Sequence, residues 1–103
     1  MESGQNRKRN WGLFSNYAHV LVCLTRMPQP TTREIALLVG ITERATQRIV
    51  TRLVEAGIAK IGKEGRRNLY DLDFNQRLRH PLEAHKTVGD FLKLINPESE
   101  HLV

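Results

Sequence analysis

Residues 31–57, with the sequence TTREIALLVGITERATQRIVTRLVEAG, constrain the fold of this 103-residue chain more than any other segment. Two short helical patterns lie on either side of one glycine, Gly40. The first pattern predicts a helix over residues 32–39, and Gly40 suits the left-handed residue that follows a last helical turn. Thr42 is the expected N-cap of a second helix over residues 43–56. The segment therefore predicts two helices joined by a very short connection.

The first of these helices and the connection carry further local signals. Thr31 and Glu34 have the spacing of a capping box, in which each side chain bonds the backbone amide of the other residue. Ala36 is small and lies four residues before Gly40, which lets the two helices approach, and Ile41 is expected to fill the corner. The inward face of the first helix is predicted to contain Ile35, Ala36, Leu38 and Val39. Two helices joined in this way predict a helix-turn-helix.

The helix over residues 43–56 has two chemically different faces. At 100° per residue, one side is predicted to pack inward and consists of Thr46, Ile49, Val50 and Leu53. The opposite side, together with its flanks, consists of Arg44, Gln47, Arg48, Thr51, Arg52 and Glu55. This helix is therefore expected to be held from behind and to present arginine to the outside.

The helical pattern that precedes the segment spans residues 13–27 and is apolar on nearly every side. Its main stripe consists of Leu13, Tyr17, Val20, Leu21, Leu24 and Met27. Ala18, Val22 and Cys23 lie away from that stripe, and the pattern ends before Pro28. A helix that is apolar all round needs a second surface to cover it, and a partner subunit is the predicted source.

The chain after Gly57 predicts a β-hairpin and then a last helix. Residues 58–73 contain two strand patterns, IAKIG and RRNLYDLD, joined through the turn KEGR. Tyr70 and Leu72 share the strand face that is expected to meet the core. A helix is predicted over residues 81–95, with Pro81 at its start. Its apolar stripe consists of Ala84, Val88, Phe91, Leu92 and Ile95. The predicted fold class is therefore mainly α with a small β-hairpin, an α+β domain.

Length and composition fit one domain with a modest core, since 40% of the 103 residues are hydrophobic. That domain is predicted over residues 11–97. Residues 1–10 are predicted to be a disordered basic tail, and residues 98–103 a flexible tail. A single cysteine, the polar start MESGQNRKRN and the lack of a long apolar run predict a soluble, cytoplasmic protein without a membrane partner.

Positive charge is concentrated in one part of the chain. The net formal charge is +5, and residues 42–68 alone carry seven Lys or Arg against three Glu. Residues 69–103 have a net negative charge. Solubility does not require positive charge to be concentrated in one segment, whereas binding of an acidic partner does. The distribution therefore favours a binding face for a partner such as nucleic acid.

A helix-turn-helix binds DNA by inserting its second helix, N-terminal end first, into the major groove. Arg44, Gln47 and Arg48 would supply the base contacts, because arginine pairs with guanine and glutamine with adenine through two hydrogen bonds. The predicted phosphate contacts at the two helix starts, which are also caps, are Thr31, Thr32 and Thr42. The hairpin turn adds a second group of cations to meet the duplex or its minor groove: Lys63, Arg66 and Arg67.

At this point the chain resembles the winged helix-turn-helix regulators of bacteria and archaea of the MarR and ArsR type. ITERATQRIVTRLVEAGIAKI is similar to a capped recognition helix that ends in E-A-G before the wing, and GRRNLYDL to the return strand of the wing. The resemblance covers residues 13–95 and implies a homodimer on a pseudo-palindromic operator. It implies DNA contacts at Thr42, Arg44, Ala45, Gln47, Arg48, Arg52, Lys63, Arg66 and Arg67. Thr51, on the outer face of the same helix, is also predicted to contact DNA. Thr46 departs from the apolar residue usual in the family, and its hydroxyl is expected to bond a preceding carbonyl.

The same resemblance implies that the terminal helices form the dimer interface. The predicted interface residues are Ala18, Val22, Leu82, His85, Val88, Phe91, Leu92 and Ile95. The alternative for the last stripe is an ordinary intramolecular core. An amphipathic membrane element is disfavoured, because the polar side of this helix has charges of both signs.

The sequence also allows functions other than DNA binding. A row of arginines is often only a solvated helix face, and a winged helix can serve as a protein–protein module without DNA. RNA or single strands would favour exposed aromatic rings.

No cofactor or metal is expected, since His80 and His85 are five residues apart on a predicted helix and Cys23 is the only thiol. A site between subunits with Glu83 or Asp90 stays open. No catalytic motif occurs, so an enzyme is not expected.

Overall fold

The structure of the protein is a computed structural model that describes residues 11–96. In this range the chain forms four helices and one two-stranded antiparallel sheet, which confirms the α+β class. The elements in chain order are α1 (Asn16–Arg26), α2 (Thr32–Val39), α3 (Glu43–Glu55), β1 (Ala59–Glu64), β2 (Arg67–Leu72) and α4 (Val88–Ile95). The two predicted tails, residues 1–10 and 98–103, lie outside the described residues.

Helix α1 is shorter at its start than the apolar pattern predicted. Ser15 is its N-cap and accepts a hydrogen bond from the Ala18 amide at 3.4 Å. The predicted first turn from Leu13 is therefore wrong, because a serine that caps a helix adopts an extended backbone and stops it from continuing backwards. At the other end the helix stops at Arg26, one residue before the prediction.

The local signals around Gly40 are confirmed. Thr31 and Glu34 form the capping box: the Glu34 amide donates to the Thr31 hydroxyl at 3.0 Å, and the Thr31 amide donates to the Glu34 carboxylate at 2.8 Å. Gly40 has φ +88°, and its amide donates to the carbonyl of Ala36. The Thr42 hydroxyl caps α3 by accepting from the Ala45 amide at 3.0 Å. Helices α2 and α3 are thus joined by three residues.

The buried side of α3 is the predicted one, Thr46, Ile49, Val50 and Leu53. Thr46 is completely buried, and its hydroxyl donates to the Thr42 carbonyl at 2.9 Å. This bond satisfies the only polar group of the side chain, so the threonine is accommodated in an otherwise apolar core. In α2, Ile35 and Ala36 are buried, but Leu38, which was predicted to face inward, is 65% exposed.

The hairpin agrees with the prediction over residues 58–73. Strands β1 and β2 pair in antiparallel register from Ala59 with Leu72 to Glu64 with Arg67. The turn is tighter than KEGR, since only Gly65 and Arg66 lie between the strands. Gly65 has φ +65°, whereas Arg66 has no positive φ, as in two-residue hairpin turns that need glycine at the first central position.

The last helix begins at Val88, seven residues after the predicted start at Pro81. The chain before it forms turns and pairs with residues 76–78: the Leu78 amide donates to Lys86, and the Val88 amide donates to Gln76. These bonds flank Thr87, whose backbone is extended, so a helix cannot run through this residue from Pro81. The helix then starts at a second capping box, formed by Thr87 and Asp90, which was not predicted.

One core cluster unites the helices and the hairpin. Its buried residues are Val20, Leu21, Cys23, Leu24, Ile35, Ile49, Val50, Leu53, Ile58, Ala59, Val88 and Leu92. Tyr70 and Leu72 pack against this cluster from the hairpin, as predicted. At the end of α4, the buried Asn96 side chain accepts from the Arg26 guanidinium at 2.6 Å and donates to Thr25 at 3.1 Å, which ties α4 to α1.

Candidate nucleic-acid interface

The exposed face of α3 carries the residues that the sequence singled out. Arg44, Gln47, Arg48, Thr51 and Arg52 are all exposed, and Ala45 beside them is half-buried. Because the opposite face is held in the core, these side chains have a fixed base while their ends remain in solvent. Within residues 11–96, none of the three arginine side chains forms a hydrogen bond or an ion pair. Their charge is therefore available to an outside partner.

The N-terminal ends of α2 and α3 differ in what they offer an anion. Thr42 is exposed, and its hydroxyl already accepts one bond, from the Ala45 amide. At α2 the Thr31 hydroxyl and amide are both used within the capping box, and the Glu34 carboxylate lies at this helix start. Thr32 is half-buried. The capping roles of Thr31 and Thr42 are thus confirmed, while the phosphate roles of all three threonines stay predictions.

The three hairpin cations are not equivalent. Lys63 and Arg66 are exposed, and within the described part of the chain they have no internal partner. Arg67 instead turns toward the start of α2: its Nε donates to the Gln29 carbonyl at 2.8 Å, and its Nη2 lies 3.0 Å from Glu34 Oε1. Arg67 is therefore a bonded part of the fold, unlike the free cations with which the sequence grouped it.

The carboxylate that receives Arg67 is held in its charged form. The amide hydrogen bond from Thr31 is the main cause of a lowered pKa at Glu34, and the positive charge of Arg67 acts in the same direction. Glu34 thus stays ionised at neutral pH. Both Glu34 and Gln29 were missed as hairpin contacts, because nothing in the local sequence links them to a residue more than 30 positions later.

The predicted dimer residues fall into different environments. Val88 and Leu92 are buried in the core of this same chain, so they leave no surface for a second copy. Leu82 and His85 lie in the turns before α4, not on a helix, and Leu82 is 81% exposed. Their predicted placement on one helix with Val88 is therefore wrong, because the pairing of residues 76–78 with 86–88 prevents such a helix.

The other four predicted dimer residues line two depressions in the surface. Ala18 and Phe91 border a groove of about 1170 Å³ between α1, the end of α3, the turns before α4 and α4 itself. Phe91 also lines a smaller cavity of about 380 Å³, together with Val22 and Ile95. The Phe14 and Phe91 rings meet edge to face, with centroids 5.2 Å apart, between the two depressions.

The histidine and cysteine side chains that the structure describes do not form a metal-binding cluster. Across residues 11–96 no group of three or more His, Cys, Asp or Glu side chains is arranged to hold a metal ion. The His80 ring accepts from the Leu82 amide at 3.0 Å. Cys23 is buried, and this burial raises the pKa of its thiol. His101 lies outside the described residues.

In the portion of the chain that the structure describes, no helix has the length and apolar character needed to cross a membrane. Comparison with protein-family models, curated proteins and solved structures finds no match for this chain. The case for a function therefore rests on its own geometry and charge.

Proposed function

We propose that this protein is a transcriptional regulator that binds specific double-stranded DNA in the cytoplasm as a homodimer. In this proposal α2 and α3 form a helix-turn-helix, α3 lies in the major groove, and the hairpin is the wing on flanking DNA. The resemblance to winged helix-turn-helix regulators of the MarR and ArsR type supports the same assignment. A protein of this kind carries out no chemical reaction and needs no cofactor.

The observation that carries the proposal is the free arginine face of α3. Arg44, Arg48 and Arg52 are four residues apart, so neighbouring members of the row lie close together on the helix surface. Like charges at this spacing destabilise a helix by roughly 0.2–0.5 kcal/mol per pair. The described part of the chain supplies no carboxylate partner to offset this cost. An external polyanion would offset this repulsion. A DNA duplex is such a polyanion, and its major groove is wide enough to admit an α-helix.

The chemistry of the face also suits base reading. Arg44, Gln47 and Arg48 are in the N-terminal half of α3, which is the part that approaches base edges in this kind of complex. Arginine and glutamine each offer paired hydrogen bonds to one purine. Glu43 and Glu55, near the two ends of the helix, are exposed and oppose DNA locally, so contact is expected to centre on the arginines between them.

We place the homodimer contact at the groove beside α4, where apolar side chains are exposed. Leu13 is 81% exposed and Leu94 is 69% exposed, and both line this groove with Tyr17 and Phe91. Exposed large apolar residues that gather in one region commonly mark an interface. In a two-fold dimer the two α3 helices would enter successive turns of the major groove, roughly 34–36 Å apart.

A second candidate is a winged helix that binds another protein and no DNA. Leu37 and Leu38 on α2 favour it, since they are adjacent and are 74% and 65% exposed. Such a pair could dock into an apolar site on a protein partner. This candidate gives no role to the free arginines of α3, which is why DNA binding is preferred.

Duplex titration at several salt concentrations tests the proposal. Binding through phosphates releases counterions, so log K should fall linearly with log salt, with a slope of about −0.9 for each phosphate neutralised. A response that is flat in salt, or no binding at low salt, would contradict DNA binding and favour the protein partner. Selection from a random duplex pool would then show whether the preferred sites are palindromic.

A further inference from the structure

A small network of hydrogen bonds joins the hairpin to the start of α2. Arg67, the first residue of β2, donates from Nε to the Gln29 carbonyl at 2.8 Å and from Nη2 to Glu34 Oε1 at 3.0 Å. Glu64, directly opposite Arg67 in the strand register, accepts from the Gln29 side chain at 2.5 Å. Glu34 accepts in addition from the Thr31 amide. Both strand ends at the turn are therefore bonded to the α1–α2 connection.

The conformation of Gln29 shows how specific this connection is. Among residues 11–96 it is the one non-glycine residue with a positive φ, at +47°. A side chain with a Cβ seldom adopts this region, and surrounding interactions have to hold it there. Here the carbonyl of Gln29 bonds Arg67 and its side chain bonds Glu64. The same two bonds therefore hold the loop conformation and the hairpin end.

We propose that Arg67 is a positioning residue, which together with Glu34 and Gln29 fixes the hairpin turn relative to the helices and does not itself contact DNA. This inference rests on the proposed DNA binding. Lys63 and Arg66, the free cations at the turn, are then the hairpin residues that meet the duplex. Arg67 sets where they are held relative to α3.

The electrostatics at Arg67 favour this role over a phosphate contact. Two nitrogens of its guanidinium already bond oxygens of the chain, one of which belongs to a carboxylate. A phosphate that approached Arg67 would meet the negative charge of Glu34, which remains ionised at neutral pH. Arg66, its neighbour in sequence, has neither obstacle. A planar guanidinium with several fixed donors suits the bridging role better than a lysine would.

The Glu34–Arg67 pair is too exposed to matter mainly for global stability. The Arg67 and Glu34 side chains are 43% and 48% exposed, and ion pairs of this kind contribute little to folding because water screens them. The pair instead restricts the orientation of the hairpin relative to the helices. Without it, the end of the hairpin at the turn would not be bonded to the start of α2. A test must therefore read hairpin order and DNA affinity, not melting temperature alone.

Glu34→Gln separates the two roles, since glutamine at this position keeps the capping box and removes the charge that attracts Arg67. Asp90→Asn is the matched control: it changes a carboxylate to an amide at the same position of the α4 capping box, away from the hairpin. Arg67→Ala removes the bridge, and Arg67→Lys keeps the charge without the forked geometry. All variants are measured for amide hydrogen exchange in the free protein and for duplex affinity at several salt concentrations.

For a positioning residue we expect Arg67→Ala to speed amide exchange in residues 62–69 and to weaken duplex binding about three- to tenfold. The slope of log K against log salt should not change. Glu34→Gln should weaken binding relative to Asp90→Asn, and adding it to Arg67→Ala should cause no further loss, because both changes break one network. Arg67→Lys should recover part of the affinity.

Two results would overturn the inference. Tighter duplex binding by Glu34→Gln than by Asp90→Asn, combined with a salt slope that Arg67→Ala reduces by about 0.9, would mean that Arg67 contacts phosphate. Unchanged amide exchange in Arg67→Ala would mean that the bridge does not order the hairpin. Failure of the wild-type protein to bind any duplex would instead overturn the proposed function, whatever the amide exchange of the hairpin shows.

Discussion

Arg66 and Arg67 are adjacent, identical in type and part of the same turn sequence, yet they meet different environments. Arg66 is in the two-residue turn and is exposed, whereas Arg67 is paired with Glu64 across the strands and bonds Gln29 and Glu34. A sequence pattern assigns both to the same charged group, because it does not contain the partner that lies 33 positions earlier in the chain. The secondary structure of a segment can therefore be predicted correctly while the contacts of a single residue within it are not.

Arg48→Ala tests base reading at the residue scale. Loss of one bidentate contact should weaken binding to the preferred duplex by about 1–3 kcal/mol and relax the choice at one base pair. Lys60→Ala is the control, since it removes one exposed cation outside both α3 and the groove beside α4. The measurement is affinity for a set of duplexes with single base changes. A uniform loss across the set would show that Arg48 meets phosphate and not a base.

Acid stability tests the two capping boxes. Glu34 and Asp90 both have lowered pKa values, in each case mainly through the amide of the capping threonine. A carboxyl whose pKa is lower in the folded state stabilises the fold above its ordinary value, and that contribution disappears as pH falls through the lowered one. Stability should therefore fall as pH drops below about 4.5 for Glu34. Urea unfolding at several pH values should show a weaker pH dependence for Glu34→Gln; an unchanged one would contradict this account.

At the scale of elements, the helix ends were predictable where a cap lies within a few residues of the end. The capping box of Thr31 and the left-handed Gly40 are examples, since both depend only on neighbours in sequence. The start of α4 was missed although Thr87 and Asp90 have the same spacing. Pro81 suggested an earlier start, and the pairing of residues 76–78 with 86–88, which excludes it, is not a local property.

Gly40→Ala tests the connection between α2 and α3. An added Cβ would contact nothing within 4 Å, so the cost comes only from φ +88°, which should destabilise the fold by about 1–2 kcal/mol. Gly62→Ala is the control, because its Cβ is equally unobstructed and its φ is not in the positive region. Urea denaturation of both variants measures the difference. Equal effects would mean that the left-handed conformation is not what Gly40 contributes.

At the scale of the whole molecule, the question is which apolar surface belongs to the monomer and which to a partner. The last helix contains both kinds, since Leu92 is in the core and Leu94 is exposed. The sequence grouped Val88 and Leu92 with the dimer interface, but this chain buries them without help. Any interface on α4 must therefore use its outer side.

Leu94→Asp tests the proposed dimer without disturbing the core. The change should convert a dimer into a monomer with little loss of folding stability, because Leu94 contributes mainly exposed area. Leu37→Asp is the control, since it introduces the same charge at a similarly exposed leucine on α2. Sedimentation velocity measures the mass of each variant. A Leu94→Asp protein that remains dimeric would move the interface elsewhere, and dissociation of the Leu37→Asp protein would assign it to α2.

The sequence by itself determined the helix and strand order, the caps of α2 and α3, and the buried and exposed sides of α3. These features depend on residues within about four positions of one another, where helical periodicity and side chain-to-backbone hydrogen bonds act. Only the tertiary structure decided that Arg67 bonds Glu34, that Leu38 is exposed and that α4 begins at Val88. Each of these depends on segments distant in sequence that compete for the same backbone groups or the same core volume. The outcome of that competition cannot be predicted from local sequence patterns.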